Sequence, residues 1–482
     1  MFLFSHSGEC YLCRKLLNNT MKKQILFCFS SLLMLFMSSC STEELNSETT
    51  PESPAAKASN RLSASKFAGD GIYDVLGHGY NVTGEYANAT AAGFKVVDID
   101  RFKLEQTNRL ISENTNSQEY SEDYGENAEA YSRMVSTKVD ATVNFPLFKK
   151  ILSVGFGSAV TTNNKFDAKY IYGSYNLTIK QKRVRFNATT DMLGDYITPE
   201  FAQDLQTKTP QQLVQDYGTH VMTDIYTGAK LDILFQSETT SQTRDKAARI
   251  GIKAGMLNIF NVNVDNDVNT SEYHMNFSKK LTYKTRGGDP SKGLVGDLNL
   301  DQTNTKVNIS DWQLSSNASN SVLVDFGSNG LIIIYDFVKD PVKKAQLKAY
   351  VDQYLIDNKV YLEFNTIPIY RYYNGVDHYY TKIAGSYSGY SFEGTEFNAF
   401  LYKAPNTVPI YRYWNGKDHY YTKTPGYYPG YVDEGIEFNA FATQQPNTVP
   451  IYRYWNGKDH YYSRSSVRPS GYVAEGIEFY AY

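Results

Sequence analysis

Cysteine is almost absent from this chain of 482 residues. Its four cysteines, Cys10, Cys13, Cys28 and Cys40, all lie within the first 40 residues. A disulfide framework or a thiolate metal site is therefore excluded for everything that follows. An excess of basic charge is missing too, because 48 lysines and arginines stand against 51 acidic residues, a formal net charge of −3. This balance gives no support to a nucleic-acid partner.

Long apolar runs are also scarce, and the longest lies near the N-terminus. Residues 21–23 are Met-Lys-Lys, and residues 25–37 form an apolar run that is too short to span a bilayer. This order is typical of an export signal, with Met21 as the expected start. Residues 37–40 read Met-Ser-Ser-Cys and resemble the lipobox of a bacterial lipoprotein. The resemblance implies that residues 1–40 contain the signal and that Cys40 is acylated. An ordinary secretory signal with an incidental cysteine is the alternative.

The residues directly after Cys40 carry a second targeting feature. Residues 41–44 read Ser-Thr-Glu-Glu and resemble the acidic tag that directs lipoproteins of the Bacteroides group to the cell surface. This implies a lipid-anchored protein exposed on the outer membrane, with release from the surface as an alternative. Residues 41–66 are rich in Ser, Thr, Glu, Pro and Ala, a composition that buries little and predicts a flexible tether.

A repeat of 41 residues organises the C-terminal part of the chain. The motif Pro-Ile-Tyr-Arg-Tyr begins at Pro368, Pro409 and Pro450. Each copy contains an Asn-Gly pair between aromatic-rich runs, which favours a tight type I′ hairpin turn. The later part of each copy predicts two more short strands broken at a glycine. Three four-strand units that close on themselves predict an all-β, β-trefoil-like domain over residues 361–482.

Tyrosine is present in excess, and 23 of the 41 tyrosines lie in residues 361–482. Strand alternation buries about half of them, so core packing accounts for most. Aromatic rings outside this core are candidates for stacking on sugars, with Asp-His pairs beside them as hydrogen-bonding groups. Closing a turn is the alternative role for each histidine. The candidate target-binding residues are Tyr372, Asp377, His378, Tyr413, Trp414, Asp418, His419, Tyr454, Trp455, Asp459 and His460. The repeat resembles a tyrosine-rich module found as three copies in secreted bacterial proteins, which implies attachment to a glycan or an outer-membrane protein.

Helix starts and strands can be placed in the middle of the chain. Thr198-Pro199 and Thr209-Pro210 each put a capping hydroxyl before a proline at the first helical position, and Gln212 completes a capping box with Thr209. Alternation of apolar residues predicts a strand over 231–236 and another over 273–283, which ends before Gly287. Asp340-Pro341 predicts the start of a helix that extends through Leu355.

The sharpest motif follows the second capped helix. Residues 217–220, Tyr217, Gly218, Thr219 and His220, with Gly228 eight residues later, resemble the signature of the membrane attack complex/perforin family. Val221 and Ala229 depart from its second aromatic and its second glycine. Three other stretches resemble the family in the expected order: residues 76–80, residues 286–288 and the segment from Trp312 to Tyr335. The resemblance implies an α+β domain over residues 67–360, with a bent antiparallel sheet flanked by helical clusters.

The family resemblance also implies a function. Residues 106–164 and 236–268 are then helical clusters that unfurl into transmembrane β-hairpins, which need about ten residues per crossing. Acidic residues between 113 and 129 are expected to keep the first stretch solvated. The protein is expected to assemble as a ring homo-oligomer on a target membrane and perforate it, and similar lipoproteins of Bacteroidales make competing bacteria the expected target. Two ordinary surface insertions are the structural alternative, and a non-lytic adhesin or glycan-binding lipoprotein is the functional one.

Catalytic chemistry has little support in the sequence. We find no nucleophile elbow, no HExxH motif and no clustered metal ligands, so we expect no enzyme activity, no cofactor and no metal. His220 has no base or nucleophile spaced to work with it and is expected to brace a strand bend by a local hydrogen bond. Gly287 and Gly288 are expected to serve the same bend, since only glycine adopts the required dihedral angles without a clash.

Overall fold

The computed structural model describes residues 71–138, 150, 152–153, 165–260 and 270–482. The signal, the tether and Cys40 lie outside the described residues, as do parts of both stretches expected to insert into membranes. The α-helices are α1 Ile99–Glu105, α2 Ala128–Ser136, α3 Thr190–Leu193, α4 Pro199–Thr207, α5 Pro210–Tyr217, α6 Arg244–Ile259, α7 Thr270–His274, α8 Ser310–Ser315 and α9 Pro341–Asp357. Within these ranges, no helix has both the length and the apolar character needed to cross a membrane.

Strands make up most of the remaining elements. Those of the first 363 residues are β1 His78–Tyr80, β2 Ala92–Lys95, β3 Leu110–Gly125, β4 Lys165–Asp167, β5 Ile171–Phe186, β6 His220–Met222, β7 Asp224–Thr239, β8 Asn276–Arg286, β9 Val295–Asn299, β10 Val322–Phe326, β11 Leu331–Ile333 and β12 Tyr361–Glu363. Those of the repeats are β13 Thr366–Tyr373, β14 His378–Thr381, β15 Ser391–Phe400, β16 Thr407–Trp414, β17 His419–Thr422, β18 Val432–Phe441, β19 Val449–Trp455, β20 His460–Ser463 and β21 Val473–Ala481.

Three long antiparallel strands form the centre of the molecule. β3, β5 and β7 have 16 residues each and lie side by side, followed by β8 and β9, while β10 pairs with the first part of β7. A smaller sheet of order β11-β6-β1-β2 lies beside them. The capped helices α4 and α5 begin at Pro199 and Pro210, and Thr198 and Thr209 cap them as predicted, with the capping box to Gln212 formed.

The two faces of the long strands differ in polarity because alternate side chains point to opposite sides. On one face, Leu231, Ile233 and Phe235 of β7 pack with apolar residues of α6 in a core of their own. On the other face, Lys230 and Gln236 are buried beneath neighbouring elements and Asp232 is half-buried. β7 is thus covered on both its apolar and its polar face.

Two predictions need correction: the first residue of the strand over 273–283 and the nature of the flanking stretch 106–164. Tyr273 does not belong to the strand predicted over 273–283, because it lies in α7 and β8 begins at Asn276. The stretch 106–164 was expected to flank the sheet, but its first part is β3, which pairs with β5 along almost its whole length. The acidic side chains of residues 113–123 are therefore those of an edge strand, and the stretch also contains the helix α2.

The repeats fold into nine strands rather than the twelve expected for three four-strand units. The glycine of each copy does not break a strand: β15, β18 and β21 run through Gly394, Gly435 and Gly476 with positive φ and shifted register. Each unit is a hairpin with one long strand beside it. β15 pairs with β18 and β18 with β21, and backbone bonds between Asn398 and Tyr482 close the ring.

The last strand before the repeats pairs with the preceding part of the chain. β12, Tyr361–Glu363, pairs in parallel with β4, Lys165–Asp167. Because this pairing adds β12 to the preceding domain, the repeat module begins near residue 366, the first residue of β13.

Candidate functional site

The central sheet changes partners at Gly228. Residues of β7 from Ile225 to Gly228 pair with β10, and from Lys230 onward the same edge of β7 pairs with β8. β8 ends at Arg286, and Gly287 and Gly288 follow with φ values of +68° and +74°. A Cβ atom on Gly287 would overlap the carbonyl oxygen of Gly228. The sheet therefore depends on glycine on both sides of this junction.

Two buried groups hold this junction together. The indole Nε1 of Trp312 donates a hydrogen bond of 3.0 Å to the carbonyl oxygen of Gly287, and the backbone of Gly288 donates to Asn320 at 3.1 Å. On β5, Gln181 occupies a bulge opposite the junction, and its amide donates to Ser316. The residues predicted to mark the bend thus meet at one place, which we call the sheet junction.

The motif of residues 217–220 joins the end of α5 to the smaller sheet. Tyr217 is buried, and its hydroxyl donates to Asp204 at 2.7 Å. Gly218 has φ of +82°, and a Cβ atom there would stand 2.5 Å from the carbonyl carbon of Tyr80. The backbone of Thr219 donates to Tyr80 at 2.9 Å. The contacts to Tyr80 join the motif to the glycine-rich stretch 76–80.

His220 lies in the smaller sheet. It is buried in β6, where its backbone pairs with Tyr80 on one side and Ile333 on the other. Its Nδ1 lies 3.0 Å from Thr219 Oγ1. The local hydrogen bond expected of His220 is therefore made to the neighbouring threonine.

A cavity of about 400 Å³ separates the polar face of the long strands from α2. Lys230 Nζ lies 2.9 Å from Asp232, and Arg286 Nε lies 3.2 Å from the same carboxylate. Burial lowers the pKa of Lys230 from its ordinary value. Burial acts to raise the pKa of Asp232, but Lys230 and Arg286 outweigh it and hold that pKa below its ordinary value. The polar face is therefore charged although it is covered.

Helix α6 lies unusually close to the apolar face. A Cβ atom on Gly173 of β5 would stand 2.9 Å from the Cβ atom of Ile252, and one on Gly251 would overlap the ring of Phe235. Ala247 and Ala248 are fully buried in the same contact. Small residues on both sides let the helix axis approach the strands, so α6 covers apolar surface that would otherwise meet water.

In the repeat module, tyrosine builds a threefold core. Tyr380, Tyr421 and Tyr462 occupy equivalent positions, and each hydroxyl donates to the backbone carbonyl of another at 2.6–2.7 Å. Each hydroxyl also accepts from a backbone N–H at 2.8–2.9 Å. Every buried hydroxyl of this ring thus takes part in two hydrogen bonds.

The predicted Asp-His pairs form a second ring around the threefold axis. The carboxylate of Asp377 accepts from the backbone N–H of His419 at 2.8 Å and lies 2.6 Å from its Nδ1. Asp418 binds His460 and Asp459 binds His378 in the same way. Oxygens of the three carboxylates lie within 4.8 Å of one another. Each aspartate therefore joins its own repeat to the next one.

The predicted target-binding surface needs correction. Eight of its eleven residues are buried, and they form the core of the module and the contacts between repeats: Tyr372, Asp377, His378, Tyr413, Asp418, His419, Tyr454 and Asp459. His460, Trp414 and Trp455 are half-buried. The indoles of Trp414 and Trp455 stack on the histidines of their own copies at 4.1 and 4.2 Å. Of the candidate residues, only these three retain a partly exposed face.

Several residues that form ion pairs were not predicted from the sequence. Arg371, Arg412 and Arg453 each bind a pair of glutamates, with Nε–O distances of 2.7 Å to Glu393, Glu434 and Glu475. They recur with the 41-residue period, which could have identified them. Arg286 and Asp232 lie far apart in sequence, and no periodicity signals that they meet.

Comparison with known proteins bears on this architecture. The model of the MAC/Perforin domain matches residues 68–362. The chain belongs to the MAC/Perforin family. Residues 368–482 match a domain of unknown function, DUF5648. No curated protein matches the chain.

Solved structures are also similar to this chain. A protein with this domain from Bacteroides thetaiotaomicron is 16% identical, with 70% of each chain covered and a TM-score of 0.50. GNIP1Aa from Chromobacterium piscinae is also 16% identical, with 84% of this chain and 81% of that one covered and a TM-score of 0.47. The predicted α+β fold with a bent antiparallel sheet, followed by an all-β region, is confirmed. A MAC/Perforin domain is the fold of a pore-forming family.

Proposed function

We propose that this protein is a surface-exposed lipoprotein that oligomerises on a target membrane, perforates it and acts on competing bacteria. The observation that carries the proposal is the sheet junction. There a Cβ atom on Gly287 would overlap the carbonyl oxygen of Gly228, and one on Gly228 would overlap that of Ile179. This is the place where β7 changes partners. Such a junction permits the strands on either side to change their relative angle without forcing a side chain through the backbone.

The covering helices support the same proposal. α6 covers the apolar face of the long strands and α2 covers the polar one. Both helices, Ala128–Ser136 and Arg244–Ile259, lie within the stretches that the family resemblance assigns to insertion. Removing both helices would leave a sheet with one polar and one apolar face, the pattern of strands that line an aqueous channel through lipid.

The test is dye release from vesicles of defined composition and from sensitive bacterial cells, together with electron microscopy of the treated membranes. Rings and concentration-dependent release are the expected results. Binding to sensitive cells with neither release nor rings would contradict the proposal and favour the adhesin.

Membrane anchoring through Cys40 is tested separately. We expect Cys40→Ala to abolish fatty-acid labelling and exposure on the producing cell, whereas Cys28→Ala, a change within the same signal, should leave both intact. Fatty-acid labelling that persists in the Cys40→Ala protein would contradict acylation at Cys40. It would not bear on whether the protein forms pores.

A non-lytic adhesin remains the second candidate because the repeat module has its own core. Its apolar cluster and the tyrosine ring are formed from residues of the three repeats. A module of this kind fits the attachment role, with a glycan or an outer-membrane protein as receptor. Under the pore-forming proposal, the same module selects the target.

A further inference from the structure

The first residue of α6 connects this helix to three other parts of the molecule. Arg244 Nε donates to the carbonyl oxygen of Glu126, in the turn between β3 and α2, at 3.0 Å. Its NH2 group donates to the carbonyl oxygens of Ala168 and Lys169, between β4 and β5, at 2.9 and 3.1 Å. All of these acceptors are backbone carbonyl oxygens. The planar guanidinium, with N–H donors in fixed directions, therefore holds the two backbone segments against α6.

The third connection reaches the repeat module. The guanidinium of Arg244 lies over the ring of Tyr402, with its central carbon 4.1 Å from the ring centroid. Tyr402 lies between β15 and β16, so it belongs to the first repeat. Burial lowers the pKa of Arg244, while Tyr402 and Glu126 act in the opposite direction. Arg244 is half-buried, and a cation partly shielded from water gains more from an aromatic face than an exposed one, because water competes less.

The surroundings of Tyr402 are less tightly packed than either core. A gap of about 80 Å³ lies beside it, lined by Asp167 and Lys169 on one side and by Phe400 and Leu401 on the other. The regular backbone pairing nearby is the short parallel ladder of β12 with β4. Because each side has its own core, a shift of the module would break the Arg244–Tyr402 contact without unfolding either domain.

We infer that Tyr402 restrains α6 through Arg244, so that the repeat module controls when this helix leaves the sheet. The inference rests on the proposed function, since it gives the control of the step that the function requires. Arg244 is at the end of α6 nearest the module, and α6 covers the apolar face. Engagement of a target that moves Tyr402 would free Arg244, and the first turn of the helix would then be held by fewer contacts.

The test measures hydrogen exchange of the α6 amides in the soluble, full-length protein. Tyr402→Leu removes the ring and keeps an apolar side chain, so we expect α6 to exchange about 2- to 30-fold faster, the range from an exposed to a desolvated cation–π contact. Tyr402→Phe keeps the ring but loses the hydroxyl that bonds Arg244, so its effect should be clearly smaller than that of Tyr402→Leu. Tyr427→Leu is the matched control because Tyr427 is 86% exposed in the next repeat.

A double-mutant cycle separates restraint from a general loss of stability. Arg244→Lys keeps the charge and loses the planar group that reaches several carbonyls. If Tyr402 acts through Arg244, the effects of Arg244→Lys and Tyr402→Leu on α6 exchange should be markedly less than additive. Additive effects, or α6 exchange in Tyr402→Leu equal to the wild type, would overturn the inference.

Dye release then distinguishes this inference from the proposed function. Faster release by Tyr402→Leu supports both. If Tyr402→Leu speeds α6 exchange but the protein never releases dye, the restraint of α6 is supported and pore formation is contradicted. If the protein releases dye but α6 exchange does not change in Tyr402→Leu, pore formation is supported and the restraint is contradicted.

Discussion

The carbonyl oxygen of Gly228 occupies the position that a Cβ atom on Gly287 would need. Gly287 also has φ of +68°, a conformation that costs other residues about 1–3 kcal/mol. We therefore expect Gly287→Ala to lower the free energy of unfolding by about 1–3 kcal/mol or more, measured by urea denaturation. Gly426→Ala is the matched control, because Gly426 has open space around its Cβ position. Equal stability of the two variants would show that the junction has room to relax.

The tyrosine ring gives a second prediction. Tyr421→Phe removes a hydroxyl that donates to the carbonyl of Tyr380 and accepts from its N–H, at 2.6 and 2.9 Å. Since both backbone groups are buried, we expect a loss of about 1–3 kcal/mol in the stability of the repeat module. Tyr427→Phe changes an exposed tyrosine and should fall within about 0.5 kcal/mol of the wild type. Denaturation followed by tyrosine fluorescence measures both.

The stability of the repeat module should depend on acid through Asp459. Burial acts to raise the pKa of Asp459, but hydrogen bonds from His378 and Tyr472 hold it below the ordinary value of 3.8. A carboxyl whose pKa is lower in the folded state stabilises the fold above the unfolded pKa and loses this contribution as pH falls through the folded one. Stability should therefore decline below about pH 4, with a shallower decline in Asp459→Asn. Parallel curves for the two proteins from pH 5 to 3 would contradict this assignment.

The close approach of α6 to the sheet provides a test of helix release. A Cβ atom on Gly173 would stand 2.9 Å from that of Ile252, whereas a disulfide needs about 3.5–4.5 Å. A small shift of the helix thus permits a bond in the Gly173→Cys, Ile252→Cys protein. We expect the oxidised form to lose dye release and reductant to restore it. Comparing two redox states of one variant removes the effect of the substitutions on stability, and equal release by both states would mean that α6 stays in place.

The pairing of β12 with β4 predicts where the chain can be truncated. Truncation after Asn365 keeps β12 paired with β4, so the MAC/Perforin domain should remain folded and lose binding to sensitive cells. Truncation after Asn358 removes β12 and should give a less stable domain, by several degrees in Tm. Selective killing by the longer truncated form would place recognition outside the repeats.

Local patterns predicted the elements that depend on neighbouring residues. Thr209, Pro210 and Gln212 specify a helix start because a capping box is formed within four residues. The 41-residue period predicted three equivalent units because similar sequences form similar local structures. The predicted number of strands in each unit was wrong. A glycine such as Gly394 is compatible with either a strand break or a bulge, and in the structure β15 pairs with β13 on both sides of a bulge.

By itself, the sequence determined the family, the bent sheet and the threefold module, because the glycine positions and the repeat period are fixed along the chain. Only the tertiary structure decided that the Asp-His pairs are internal, since Asp377 meets His419 of the next repeat and not His378 beside it. It also decided that Arg244 meets Tyr402. The physical reason is that burial and partner choice depend on which distant surfaces close over a side chain, and no spacing in the sequence encodes that closure.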